Sequence, residues 1–275
     1  MLYERLKDTY TYKQYKRVPL GLLLPLYYWT NGFGPASYQE KLFRYSFGFL
    51  PTTLPNPKGR RDTLRIHDLN HIASGVPNTN WFEEARQNAW ELGSGCPGVA
   101  KFFNLATVFF ALFLWPIRSG KIFRSFVRGR RSQNFYGKSN EELTVYMGRP
   151  LKDALSELHI PSPSEVINPT WTDRLLFLGF VLLSIVSMPL FTLLSVAGIF
   201  FSLGYALTHR GKLWQPKGSP ELRTFPTEIL SVLEKMKEGK PVEYFDFINL
   251  LTKLQNPKLL EELHGLDPIL FPGKK

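Results

Sequence analysis

Cysteine is almost absent from this chain. Cys96 stands alone among 275 residues, so no internal disulfide can form. That excludes a cysteine-stapled secreted fold and favours a reducing compartment. Cys96 itself reads as a small buried residue, with nothing around it to mark a nucleophile. Histidine is scarce too, five in all. The sequence has no G-x-x-x-x-G-K-[ST], no G-x-S-x-G and no H-E-x-x-H, which removes the phosphate-binding loop, the nucleophile elbow and the zincin helix. No histidine precedes His67, which argues against an HD phosphohydrolase, a class that places a further histidine upstream of its His-Asp pair. Charge is missing from residues 175–207 altogether. The first eight residues, Met-Leu-Tyr-Glu-Arg-Leu-Lys-Asp, contain acid and resemble neither a secretory signal nor a transit peptide. The apolar run 18–29 contains two prolines and is too short to span a bilayer.

What is present is basic and unevenly apolar. The formal charge is +11 and the pI about 9.6, which directs the chain toward nucleic acid, anionic lipid or an acidic partner. Residues 51–61 read as a loop. A helix is predicted from Asp62 or Thr63 to Ser74, capped by Gly75, and a second from Trp81 to Leu92, with Asn80 as N-cap. Residues 101–116 form an apolar helix of about four turns, short of the ~20 residues a span needs. The stretch 117–131 interleaves Arg118, Lys121, Arg124, Arg128, Arg130 and Arg131 with Phe123 and Phe126. RNA binding would stack those rings on bases. A membrane would take the rings into its interface and the arginines onto anionic headgroups, and the uncharged run nearby favours that second reading. A short helix over 151–159 precedes Pro161-Ser162-Pro163, read as a boundary.

A continuous helix over 175–207 would be about 50 Å long, and Pro189 lies near its middle. The expectation is therefore a hairpin of two apolar arms, 175–188 and 190–207, with small residues such as Ser195 and Gly198 between them. Positive flanks suit both ends in the cytoplasm. Residues 226–237 and 244–263 look like amphipathic helices. The predicted class is all-α: a helical membrane-associated domain over 1–165, a hydrophobic hairpin over 166–214 and a helical tail over 215–275.

Chemistry concentrates at Arg65-Ile66-His67-Asp68-Leu69-Asn70-His71, followed by Glu83. On a helix His67 and His71 share one face a turn apart. Two imidazoles with carboxylates suit zinc, iron or manganese. Asp68 and Glu83 are the expected carboxylates, while Glu84 and Glu91 are expected to be solvated or supporting. Glu83 also fits a capping box behind Asn80.

The pattern His67-Asp68-x-x-His71-x11-Glu83 resembles the signature of the coenzyme Q (ubiquinone) biosynthesis protein 4 family. The flanks Ile72-Ala-Ser-Gly75 and Glu83-Glu-Ala-Arg-Gln-Asn-Ala-Trp90 resemble that family, as does Tyr146-Met-Gly-Arg-Pro-Leu-Lys-Asp-Ala-Leu-Ser-Glu-Leu-His-Ile160. The resemblance covers roughly residues 10–165; residues 166–275 depart from the family domain. It implies a divalent metal held by His67, Asp68, His71 and Glu83, commonly zinc, with iron or manganese as alternatives, and it makes those four residues the catalytic set. It implies a prenylated quinone precursor whose tail enters an apolar channel, lined here by 102–115, with the arginines beyond holding an anionic head. The implied activity replaces the ring C1 carboxylate by hydroxyl, at a bacterial inner or organellar membrane with soluble parts on the cytoplasmic or matrix side. Other quinone-biosynthesis proteins are implied partners, a homodimer stays open, and nucleic acid is not expected. The alternatives are a non-catalytic prenyl-lipid scaffold and an unrelated membrane metallohydrolase or non-haem iron oxygenase.

Overall fold

The computed structural model describes residues 41–47, 50–78 and 80–209, with Leu20, Gly21, Leu23, Leu24 and Tyr27 besides. The expectations for 226–237, 244–263 and the rest of the tail lie outside the described residues. The class is all-α, as predicted. Contacts divide the chain into two units. In one, α5 (Asn140–Gly148) opens on a capping box in which Ser139 and Glu142 satisfy each other's backbone N–H, and α6 (Leu151–Glu157) follows. The Leu20 N–H donates to the Arg149 carbonyl at 3.0 Å.

The other unit carries the candidate site. Strands β1 (Leu42–Phe47) and β2 (Leu50–Pro55) pair antiparallel, Phe43 opposite Leu54 and Tyr45 opposite Thr52. This hairpin replaces the loop expected from 51. Aromatic residues at 43, 45 and 47 alternate with polar ones, which is the strand period, but Pro51 and Pro55 masked it. Helix α1 (Lys58–Ser74) begins four residues earlier than predicted, because Arg60 and Arg61 bond back to Asn56. Gly75 closes it at φ 66°, donating its N–H to the His71 carbonyl. Helix α2 (Trp81–Ser94) starts on Asn80, whose side chain accepts from the Phe82 and Glu83 N–H groups. Helix α3 (Gly98–Leu114) ends before Pro116, a short 3₁₀ turn Pro116–Arg118 follows, and the chain bends through 112° into α4 (Ser119–Arg130).

Helices α2 and α4 touch backbone to backbone at two glycines. A Cβ on Gly93 would meet the Phe126 carbonyl oxygen at 2.2 Å, and one on Gly129 the Trp90 carbonyl oxygen at 2.0 Å. Gly93-Ser-Gly-Cys-Pro-Gly98 has the spacing of a dinucleotide fingerprint, but it follows a helix rather than a strand, and Gly93 serves this contact instead. Phe126 and Ile122 are fully buried in a core shared with Ala85, Ala89 and Leu105. Phe123 and Phe126 also pack on Phe177 and Phe180. The rings expected in a membrane interface, or on bases, are therefore spent inside the protein.

The hydrophobic hairpin is also corrected. Trp171–Thr208 is one helix, α7, running through Pro189. At about 1.5 Å per residue it is about 57 Å long, and it is long and apolar enough to cross a membrane. Its capping box joins Thr170 and Asp173, and Asp173 is also fixed by Arg131 at 2.6 Å and Arg130 at 3.4 Å. Phe191 meets Phe102, Phe103 and Phe110 of α3. Further along, Ser202 donates to the Gly198 carbonyl and accepts from Thr53 of β2. These contacts tie the helix down on both sides of its proline, and they place it in the same unit as α1–α4 rather than beyond a boundary near 165. Leu182, Val186, Leu193 and Phe200 are among the apolar side chains it leaves exposed.

Gly198 is where α7 meets β2: a Cβ there would stand 2.5 Å from the Thr53 carbonyl oxygen, whereas one on Gly204 would meet nothing. Gly198→Ala should destabilise the detergent-purified protein by about 1–3 kcal/mol, the usual range for overpacking. Gly204→Ala should be neutral or stabilising by up to about 1 kcal/mol. Denaturant unfolding of the two variants checks the difference, and equal effects would remove Gly198 from this role.

Candidate metal centre

Helices α1 and α2 meet along a polar seam. On α1 the facing residues are His67, Asn70, His71 and Ser74; on α2 they are Glu84, Gln87, Asn88 and Glu91. Both sets follow the three- and four-residue spacing of one helical face. An apolar pair is the ordinary content of such a buried seam, so this one marks a site.

Glu91 is fully buried and anchors it. Its Oε1 lies 3.0 Å from His67 Nδ1 and accepts from Asn70 Nδ2 at 3.0 Å. Its Oε2 accepts from Asn104 Nδ2 of α3 at 2.9 Å and from the Tyr136 hydroxyl at 3.0 Å. Burial would raise this carboxyl; the His67 charge and these donors overcome burial and hold it below its ordinary range. The same burial, beside the Glu91 charge, drives Tyr136 well above 10.0. Cys96 is pushed up to about 12 by burial and Glu91, so it stays a thiol, as its small-residue reading requires.

Glu84 bridges the two histidines. Its Oε1 is 3.1 Å from His67 Nε2 and its Oε2 is 3.1 Å from His71 Nε2. Burial opposes its charge, but the His67 cation and both imidazole contacts keep it well below 4.5. His71 Nδ1 faces the Val76 carbonyl at 3.1 Å. Carbonyl and carboxylate oxygens only accept, so each Nδ1 carries its proton. Each neutral ring then points an Nε2 lone pair at Glu84, which also has only lone pairs to offer. A cation must lie among these three groups, either protons on the rings or a metal ion. The donor set fits a metal: one ligand atom from each of His67, His71 and Glu84 lies within 4.8 Å of the others. The opposite ring nitrogens are already oriented by oxygen partners, as metal-bound histidines usually are.

The structure thus brings together two of the four expected ligands. Asp68, next to His67 on the helix, is rotated about 100° from it; it is buried and lies outside the group of converging ligand atoms. Glu83 is turned to Arg86 at 2.6 Å. Glu84 takes the place given to Glu83, and Glu91, expected to be solvated or supporting, is the buried support. The signal for Glu84 was its phase: Glu84, Asn88 and Glu91 share a face, and Glu83 does not.

A cavity of about 170 Å3 opens beside His67 and Glu84, walled by Phe43, Phe103, Trp81 and Phe191. Phe103, Asn104 and Thr107 are what the stretch 102–115 contributes to it, while Phe113 and Leu114 are exposed. The arginine in this cavity is Arg60 of α1, seven residues before His67 and so on its face; the arginines of α4 line a different one. Arg60 lies 3.8 Å over the Phe43 ring and bonds Asn56. Burial lowers it to about 10 against the pull of Glu84 and Asp68, so it stays charged at neutral pH. Asn88 Oδ1 is buried in the cavity wall and has no hydrogen-bond partner among the described residues. No family model, no curated protein and no solved structure matches the chain.

In metal-free protein the charges of this seam set a pH window. Glu84 and Glu91 sit below 4.5, so their contribution to stability is complete above that value and is lost as pH falls through the lowered ones. His67 sits above 6.5, so its contribution is complete below that value and is lost as pH rises through the raised one. Thermal unfolding in chelator should weaken on both the acid and the alkaline side. His67→Gln should remove the alkaline decline; an unchanged decline would assign it to another group.

Proposed function

We propose that this protein is a membrane-bound, metal-dependent enzyme of ubiquinone or related prenyl-quinone assembly. It binds a prenylated aromatic precursor and replaces the ring C1 carboxylate by hydroxyl, with release of CO2. The single observation that carries the reading is the convergence of His67, His71 and Glu84 beside a ring-sized cavity, which His67 and Glu84 line together with the partly buried Arg60. The resemblance over residues 10–165 and the long apolar helix α7 support it.

The chain's own residues do the following in this reading. A cavity of about 170 Å3 admits about one aromatic ring, since a cavity near 150 Å3 holds benzene. Phe43, Phe103, Trp81 and Phe191 sandwich the ring and exclude water. Arg60 takes the ring carboxylate before it leaves. The Asn88 Oδ1 accepts a hydrogen bond from a ring hydroxyl. Glu91, through His67 Nδ1, fixes the imidazole that faces the reacting carbon. The net reaction, ring carboxylic acid plus one oxygen atom giving ring hydroxyl and CO2, takes that atom from an external oxidant; where this is dioxygen, an external two-electron reductant and two protons carry the second oxygen away as water.

The three residues would hold a divalent ion with open positions for substrate, and the ion's chemistry is charge stabilisation as the carboxylate departs. Zinc is the ion the resemblance implies. Two histidines and one carboxylate are equally the set of non-haem iron(II), which suits oxidative chemistry better than a redox-inert metal. Other quinone-biosynthesis proteins are the partners this reading expects. The membrane is a bacterial inner membrane or an organellar one.

Elemental analysis of purified variants tests the site. Wild type and Glu83→Gln should each carry about one metal per chain, and Glu84→Gln and His71→Ala should lose it. Glu91→Gln should weaken binding about 10–100-fold, as loss of a supporting residue does. Metal retained by Glu84→Gln and lost by Glu83→Gln would restore the ligand set read from the sequence. Metal absent from wild type would sink the proposal.

A further inference from the structure

The basic stretch 117–131 does not act as one surface. Arg130 and Arg131 are committed to Asp173, and Phe123 and Phe126 to α7. Lys121, Arg124 and Arg128 remain, at the three- and four-residue spacing of one face of α4. With Arg86 of α2 they line a second cavity, of about 450 Å3, closed by the loop Pro163–Ile167.

Four cationic side chains thus meet around one space. Among the described residues neither Lys121 nor Arg124 has an ion-pair partner. Arg128 is nearly buried, and two of its partners are the neutral carbonyls of Pro161 and Ser74. Arg86 pairs with Glu83 through Nη1, but its Nε is buried with no hydrogen-bond partner among the described residues. The cavity's carboxylate, Glu165, accepts from the Ser162 backbone N–H at 3.3 Å within its own turn. Ser125 and Ser164 add hydroxyls to the lining. Guanidinium forks with an ammonium and hydroxyls are the recognition chemistry of phosphate.

The rim shows where that phosphate comes from. Ile117, one turn before Lys121, is 98% exposed, and Val166 across the cavity is 88% exposed. Phe113 and Leu114 stand out at the same bend between α3 and α4. An exposed Val166 in the lining of a cationic hollow, with an exposed Ile117 four residues before Lys121, suits a bilayer surface, where apolar side chains enter the acyl boundary and the cations take a headgroup. We propose that Arg86, Lys121, Arg124 and Arg128 form a binding site for the phosphate headgroup of an anionic membrane lipid, separate from the metal centre. The proposal rests on the membrane association in the preceding reading and not on its metal.

The full chain in detergent is titrated with short-chain phosphatidic acid, short-chain phosphatidylcholine and inorganic phosphate, and its thermal unfolding is followed. Phosphatidic acid should raise the unfolding midpoint and phosphatidylcholine should not. The double variant Lys121→Gln/Arg124→Gln should weaken the apparent affinity for phosphatidic acid by about tenfold or more. Lys58→Gln/Lys152→Gln, with the same loss of charge at exposed positions outside the cavity, should leave it unchanged. So should Glu84→Gln, which separates this site from the metal. Equal stabilisation by inorganic phosphate would replace the lipid by a soluble phosphate ligand. Equal losses in both double variants would reduce the effect to diffuse charge, and no response to phosphatidic acid would remove the site.

Discussion

A carboxylate held away from water costs several kcal/mol unless donors replace the solvent it has lost. Glu91 meets that requirement with four groups from three segments of the chain: His67 and Asn70 on α1, Asn104 on α3, and Tyr136 beyond α4. Each donor has to be where it is for the charge to be tolerated, so one residue of α2 fixes the register of three other segments. Asn70 extends the constraint, since its Oδ1 accepts from the Phe135 N–H and ties down the segment that carries Tyr136. The apolar core of α2, α3 and α4 supplies most of the burial. It does not choose between neighbouring helical registers; the Glu91 network does. The same network orients His67, so the candidate site is a product of the constraint that sets the fold.

Helix α7 solves a different problem. It carries almost no charge, yet one face is tied to the domain at intervals, through Asp173, the phenylalanines 177, 180 and 191, and the Gly198–Ser202 turn on β2. The remaining face is apolar and open. A helix committed on one side and apolar on the other brings the domain to whatever apolar medium covers the open face. The bend between α3 and α4 presents Phe113, Leu114 and Ile117 as a second apolar feature. Both suit association with a bilayer.

Much of this was legible in the sequence wherever local chemistry decides. Asn80 capped α2 and Gly75 closed α1 as read, because caps depend on a residue's own backbone and side chain. What was missed depends on partners far away. The strand 50–55 was hidden by its prolines, which sit at the ends of a two-stranded ribbon where a missing N–H is tolerated. Pro189 signals a break, and only the packing of α7 against α3 and β2 carries the helix through it. At the site the histidines were legible, since two residues four apart share a face in any helix. The carboxylate was not: a motif fixes a distance along the chain, whereas the roll of α2 about its own axis decides whether Glu83 or Glu84 faces inward. Asn80 sets where α2 begins, and the Gly93–Gly129 contact sets its roll. Together they turn Glu84 to the histidines and Glu83 to Arg86.

That roll also bears on which cation the site prefers. With protons alone, both rings must be imidazolium to satisfy every lone pair, and their centroids are 4.7 Å apart. Glu84 lies between them, but Glu91 reaches only His67, so the pair would hold two like charges at close range within the protein. A divalent ion held by His67, His71 and Glu84 would supply the same charge among the atoms that converge there. Each Nδ1 would then keep its proton and go on donating it, His67 to Glu91 and His71 to the Val76 carbonyl. The metal satisfies each lone pair once and leaves no cation facing another, which is the physical ground for preferring it in the proposed reading.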